Sequence, residues 1–145
     1  MFADLLRRLN AIPGARPLGA DSARVAMAAL MVRVARSDDS YSDRERARID
    51  ALLAAHYRLP PAEVARLRGE AEEAEASAQD TVQFTRVVKE DVPYEERVGV
   101  VETLWRVAAA DGIDAEERGV LRLVANLLGV SDQESGLARR RAERG

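Results

Sequence analysis

Between Val25 and Val34 the chain offers almost no polar face. Met27, Leu30, Met31 and Val34 fall at the i, i+3, i+4, i+7 spacing of one helical stripe, and Val25, Ala28, Ala29 and Val32 supply a second. A helix that is apolar most of the way round has to be surrounded by other elements. The same demand returns further along, where Val98, Val101, Leu104, Trp105 and Ala108 form a stripe that Val100 and Val107 widen. No strand-like alternation of useful length occurs anywhere. The expected fold is therefore all-α, a compact single-domain bundle of about seven or eight helices. With 145 residues, 47% of them hydrophobic, the chain can bury a core of its own without disulfides or structural metals.

The boundaries of the helices are marked by local chemistry. Asp21 or Ser22 can cap the first long helix, which should run to about Ser37. Ser42-Asp43-Arg44-Glu45 is a capping box, in which a hydroxyl and a carboxylate each satisfy a free backbone N–H. Ile49, Leu52, Leu53 and His56 follow at helical spacing, which places His56 on or beside the core face. Pro60 and Pro61 close that helix and open the next, which carries Val64, Leu67 and Ala71 inward and shows Glu70, Glu72, Glu73 and Glu75 as a solvated acidic face. A break follows near Ser77 to Asp80, and Val82, Phe84, Val87 and Val88 predict a short helix. Pro93-Tyr94-Glu95-Glu96 reads as the first turn of the second central helix. Asp114 and Glu117 mark another N-terminus, Gly129 a left-handed C-terminal cap, and Ser131-Asp132-Gln133-Glu134 a further capping box. Upstream of all this, residues 1–19 read as an amphipathic arm, with Phe2, Leu5, Leu6 and Leu9 on one face, followed by a Pro/Gly linker; residues 20–145 form the domain.

Composition excludes several functions. Cysteine is absent and His56 is the only histidine, which removes thiolate chemistry, disulfides and His-pair zinc motifs. A net charge of −3 argues against a general nucleic-acid partner, and Arg139-Arg140-Arg141 reads as a helix-end charge cluster. No run approaches the roughly 18 apolar residues of a membrane span, and the N-terminus lacks a secretory h-region. A cytoplasmic protein acting through other proteins, with self-association through the arm as one form, is the expectation.

Two stretches echo each other. Arg33, Val34, Ala35 and Asp38 align with Arg106, Val107, Ala108 and Asp111; skipping Ser40, Glu45 and Arg46 align with Glu117 and Arg118. Each half reads as apolar helix, acidic turn, capped helix, turn, helix, and the expected form is two pseudo-symmetric halves with the acidic turns in related places. These stretches, with Phe84-Thr85-Arg86, Leu104-Trp105-Arg106-Val107-Ala108, Asp111-Gly112 and Leu127-Leu128-Gly129-Val130-Ser131, resemble the TerB-like (tellurite resistance protein TerB) family over about residues 22–140. The resemblance implies a compact all-helical domain associated with bacterial tellurite and stress resistance. It further implies divalent-metal binding at the two acidic turns and no established catalysis. Carried onto this chain, the turn aspartates are Asp38 and Asp111 and the helix-start glutamates are Glu45 and Glu117. The chain departs from the family pattern twice: Asp39 stands where a glycine is usual, and the second turn is one residue shorter, which brings Asp114 early.

The candidate metal ligands are thus Asp38, Asp39, Glu45, Asp111, Asp114 and Glu117. An all-oxygen set suits a hard cation such as Ca²⁺ or Mg²⁺. Neither turn is an EF-hand: counting from Asp38, position twelve is Ile49, and counting from Asp111, position three is Ile113. The alternative is that all six residues are helix caps and turn formers in a protein-interaction module. An enzyme is the weakest class, because no nucleophile and base accompany the carboxylates.

Overall fold

A computed structural model describes residues 20–77 and 81–144, with side chains from residue 23 onward. The expected arm over residues 1–19, the side chains of Asp21 and Ser22, and most of the break before Val82 lie outside the described residues. The described residues form seven α-helices and no strand: α1 (Ala20–Arg36), α2 (Asp43–Tyr57), α3 (Pro61–Ser77), α4 (Val82–Asp91), α5 (Arg97–Ala108), α6 (Ala115–Leu127) and α7 (Asp132–Arg144). Short 3₁₀ turns, Tyr94–Glu96 and Ala109–Asp111, flank α5. The first of these replaces the α-helical turn expected after Pro93.

The all-round apolar helix is enclosed as its composition requires. Ala28, Ala29, Leu30, Val32, Val34 and Ala35 are fully shielded from solvent, and α1 packs against α2, α3, α4, α5 and α6. Its second counterpart, α5, buries Val100, Val101, Leu104, Trp105, Val107 and Ala108 against α1, α2, α6 and α7. Among the described residues no helix is long and apolar enough to cross a membrane.

Polar side chains hold the covering helices in place. Glu75 on α3 takes Arg33 at 3.2 Å and Arg36 at 2.8 Å, both from α1. Glu72 accepts the Tyr41 hydroxyl at 2.7 Å and pairs with Arg68 at 3.2 Å, while Arg68 reaches Asp50 on α2 at 2.6 Å. The acidic face of α3 is therefore divided. Glu70 and Glu73 are exposed, but Glu72 and Glu75 share the side that carries Arg68 and meet the arginines of α1. His56 also departs from expectation and is exposed, edge-on to Tyr57 at 4.7 Å. The inward row of α2 steps by four residues through Glu45, Ile49, Leu53 and the half-buried Tyr57, so that Tyr57 takes the place expected of His56.

The end of α6 is a Schellman motif. Val130 N–H donates to Ala125 C=O at 2.9 Å and Gly129 N–H to Asn126 C=O at 3.1 Å, with Gly129 at φ +77° and Val130 buried. Two stability changes follow. Glu75→Ala removes the one carboxylate that Arg33 and Arg36 share, leaving them their bonds to Thr81 and to backbone carbonyls, and should cost about 2 kcal/mol in urea denaturation. Gly129→Ala places a Cβ in the left-handed region and should cost about 1 kcal/mol, whereas Glu73→Ala on the exposed side of α3 should leave the midpoint within error.

Candidate metal centre

The site is built where α1 and α5 end. After Arg36 the chain turns through Asp39, which adopts φ +62°, a left-handed conformation that aspartate tolerates and glycine takes freely. That geometry accounts for a residue at this point where the family pattern has glycine. Asp38 folds back to accept the Ser40 N–H at 3.0 Å. At the head of α2, Ser42 Oγ accepts the Glu45 N–H at 3.0 Å and Glu45 Oε1 accepts the Ser42 N–H at 2.9 Å. After α5, Gly112 (φ +84°) turns the chain and Ile113 packs against the core. Asp114 Oδ1 then accepts the Glu117 N–H at 2.8 Å, and Glu117 Oε1 accepts the Asp114 N–H at 3.2 Å. Both capping boxes are complete.

The two turns meet. The Ser42 hydroxyl donates to Asp111 Oδ2 across 69 residues of sequence. The Asp38 and Asp114 carboxyl groups face each other closely enough to share one proton in a hydrogen bond, and one carboxylate oxygen each from Asp38, Asp114 and Glu117 lie within 4.8 Å of one another. Opposite ligands around one Ca²⁺ ion stand about 5 Å apart at most, so these oxygens fit within a single cation's shell.

The electrostatics are those of crowded like charges. The bond between Asp38 and Asp114 drives their pKa values apart, Asp38 below and Asp114 above the ordinary aspartate value. Glu117 is pushed from 4.5 up to about 8, first by burial and then by the charges of Asp114, Glu45 and Asp38. Glu45 is raised as well, again by burial first, with Asp38 and Asp111 adding to it. Glu45 and Glu117 are each only 2% exposed. One atom stands out. Glu117 Oε2 is buried and has no hydrogen-bond partner, while its sister oxygen is engaged in the capping box.

A family model described as tellurite resistance protein TerB matches residues 24–140. The chain belongs to the TerB family. No curated protein and no solved structure matches it. The turns that meet in this TerB domain are the two that the internal echo pairs. Of the six expected ligands, Asp38, Asp114 and Glu117 are brought together; Glu45 lies buried beside them, Asp111 is held by Ser42, and Asp39 is exposed and outside the group. Ser42, read from sequence as a cap alone, also bridges the turns. Nothing local in the sequence signals that bridge.

A folded-state pKa near 8 against 4.5 means the native state holds a proton on Glu117 that the unfolded chain has lost. The stabilisation from this group is complete below pH 4.5 and disappears as pH rises toward 8. In EDTA, the TerB domain should therefore lose stability between about pH 5 and pH 8, followed by urea midpoints. Glu117→Gln, which cannot ionise, should flatten that slope.

Proposed function

We propose that this TerB domain is a non-enzymatic module that binds one hard divalent cation, Ca²⁺ or Mg²⁺, across its two acidic turns. Asp38, Asp114 and Glu117 would be its ligands. The observation that carries the reading is the unpartnered, buried Glu117 Oε2. A buried carboxylate oxygen without a donor is costly, and a cation relieves both its desolvation and its repulsion from Asp38 and Asp114. The donor set fits the group: all-oxygen ligands suit hard cations, and both Ca²⁺ and Mg²⁺ retain water where the protein supplies few ligands. The cation would neutralise the cluster and tie the end of α1 to the start of α6. Through that fixed surface the domain would act on other proteins, in the tellurite resistance that the family description names and in stress resistance more broadly.

The second reading, an interaction module whose turns are purely structural, is favoured by the completeness of both capping boxes, which need no metal to satisfy their backbone groups. The non-enzymatic part of the proposal is supported by the engagement of these carboxylates in caps and in one another.

Thermal melting separates the two readings. A site holding a cation at about 100 times its Kd gains about 2.7 kcal/mol, a rise in midpoint of several degrees. Excess Ca²⁺ or Mg²⁺ should raise the midpoint over EDTA, and Asp114→Asn or Glu117→Gln should abolish the rise. An unchanged midpoint with both cations would leave the structural reading alone standing.

A further inference from the structure

Away from the acidic turns, α6 and α7 enclose a groove of about 500 Å³ floored by Trp105. Its charge is opposite to that of the chain as a whole. Arg118 and Arg122, one turn apart on α6, and Arg139 on α7 line it against a single acid, Asp132, in a chain whose net charge is −3. We propose that this groove docks a carboxylate-rich segment of a partner protein.

The chemistry of the lining points to carboxylate. Guanidinium groups bind carboxylates through paired, planar hydrogen bonds, and the groove's own arginines already sample that contact. Arg122 meets Asp132 at 3.5 Å with both side chains mostly in solvent, 73% and 65% exposed. Arg139 meets Glu143 at 2.9 Å. The first is a loose, exposed pair that an incoming carboxylate can replace; the second is closer and fixes Arg139 at the edge of the groove. Arg118, which lines the same groove, is exposed to solvent.

The floor is pre-set. Trp105 is 6% exposed, its indole N–H donates to Ser135 Oγ at 3.1 Å, and Arg139 lies over its ring at 5.2 Å. The groove is therefore shallow and charged at the rim, a shape for a length of chain rather than for an enclosed small molecule. Leu123, 49% exposed one helical turn beyond Gly119, offers an apolar contact beside the arginines.

Two glycines support the assignment. Four glycines sit inside helices among the described residues, and two of them, Gly119 and Gly136, line this groove. Glycine is the poorest helix former after proline. Packing does not require it here, since a Cβ at either position would meet nothing within 4 Å, and neither residue has positive φ. What their missing side chains do is leave the walls of the groove clear.

The test is fluorescence anisotropy of the full chain with a fluorescein-labelled peptide rich in glutamate and leucine, at low ionic strength. Saturable binding is expected, weakened about tenfold or more by Arg118→Glu and by Arg122→Glu. Arg86→Glu, a charge reversal on α4 away from the groove, should leave it unchanged. Gly136→Leu should block the peptide while the melting midpoint stays level or rises, which separates loss of the groove from loss of the fold. The proposal is overturned by absence of binding, by equal loss in Arg86→Glu, by full binding in Gly136→Leu, or by an oligonucleotide of equal charge binding as tightly through the same arginines.

Discussion

Two glutamates that cap helices are buried as they do so. A capping box at the protein surface leaves its spare carboxylate oxygen in water, but Glu45 and Glu117 are almost wholly excluded from solvent. Their carboxylates must satisfy the first turns of α2 and α6 and also find company in the interior. That constraint draws the two acidic turns together, because the groups available to face a buried carboxylate at the end of α5 are those at the end of α1. The result is a cross-turn bond from Ser42 to Asp111, a bond from Asp38 to Asp114, and one oxygen of Glu117 left without a partner.

The geometry behind this is set by the two central helices. Because α1 and α5 have no polar face to spare, they must lie within the bundle, and they pack against each other. Their chains leave the interior close together, and each must turn at once into a helix that covers the core. Asp39 and Gly112, both at positive φ, make those turns tight. A short acidic turn followed by a capped helix is what this exit needs, and having two side by side concentrates negative charge at one place. The electrostatic strain at the site is thus a by-product of how the core is enclosed. The proposed cation would convert it into cohesion.

Much of this was legible in the sequence wherever the information is local. The seven helices, the capping boxes at Ser42, Asp114 and Ser131, the Schellman glycine at Gly129 and the apolar rows of α1 and α5 all depend on residues within about two turns of one another. The family membership was readable from ordered short matches. What could not be read were the pairings across long separations: Ser42 with Asp111, Asp38 with Asp114, Glu75 with Arg33 and Arg36. Those follow from how helices pack, and no local pattern encodes them. The misread positions have the same origin. Glu72 and Glu75 looked solvated because Tyr41 and the two arginines that meet them lie about thirty to forty residues upstream, in and just after α1, and His56 looked inward because the stripe of α2 advances by fours rather than by alternating threes and fours. Among the candidate ligands, the residue types were right for an oxygen site, but only packing separates Asp38, Asp114 and Glu117 from Asp39.

The central claim is that the orphaned oxygen of Glu117 and its two neighbours form one cation site. Carboxylate-carbon NMR during titration with Ca²⁺ or Mg²⁺ near neutral pH reads that claim residue by residue. The account predicts that the signals of Asp38, Asp114 and Glu117 shift together and saturate at one equivalent, with Glu117 moving to its ionised position as the metal displaces its proton. If those three signals stay fixed, or move no further than the exposed Glu70 and Glu73, the turns are caps and the cation site does not exist.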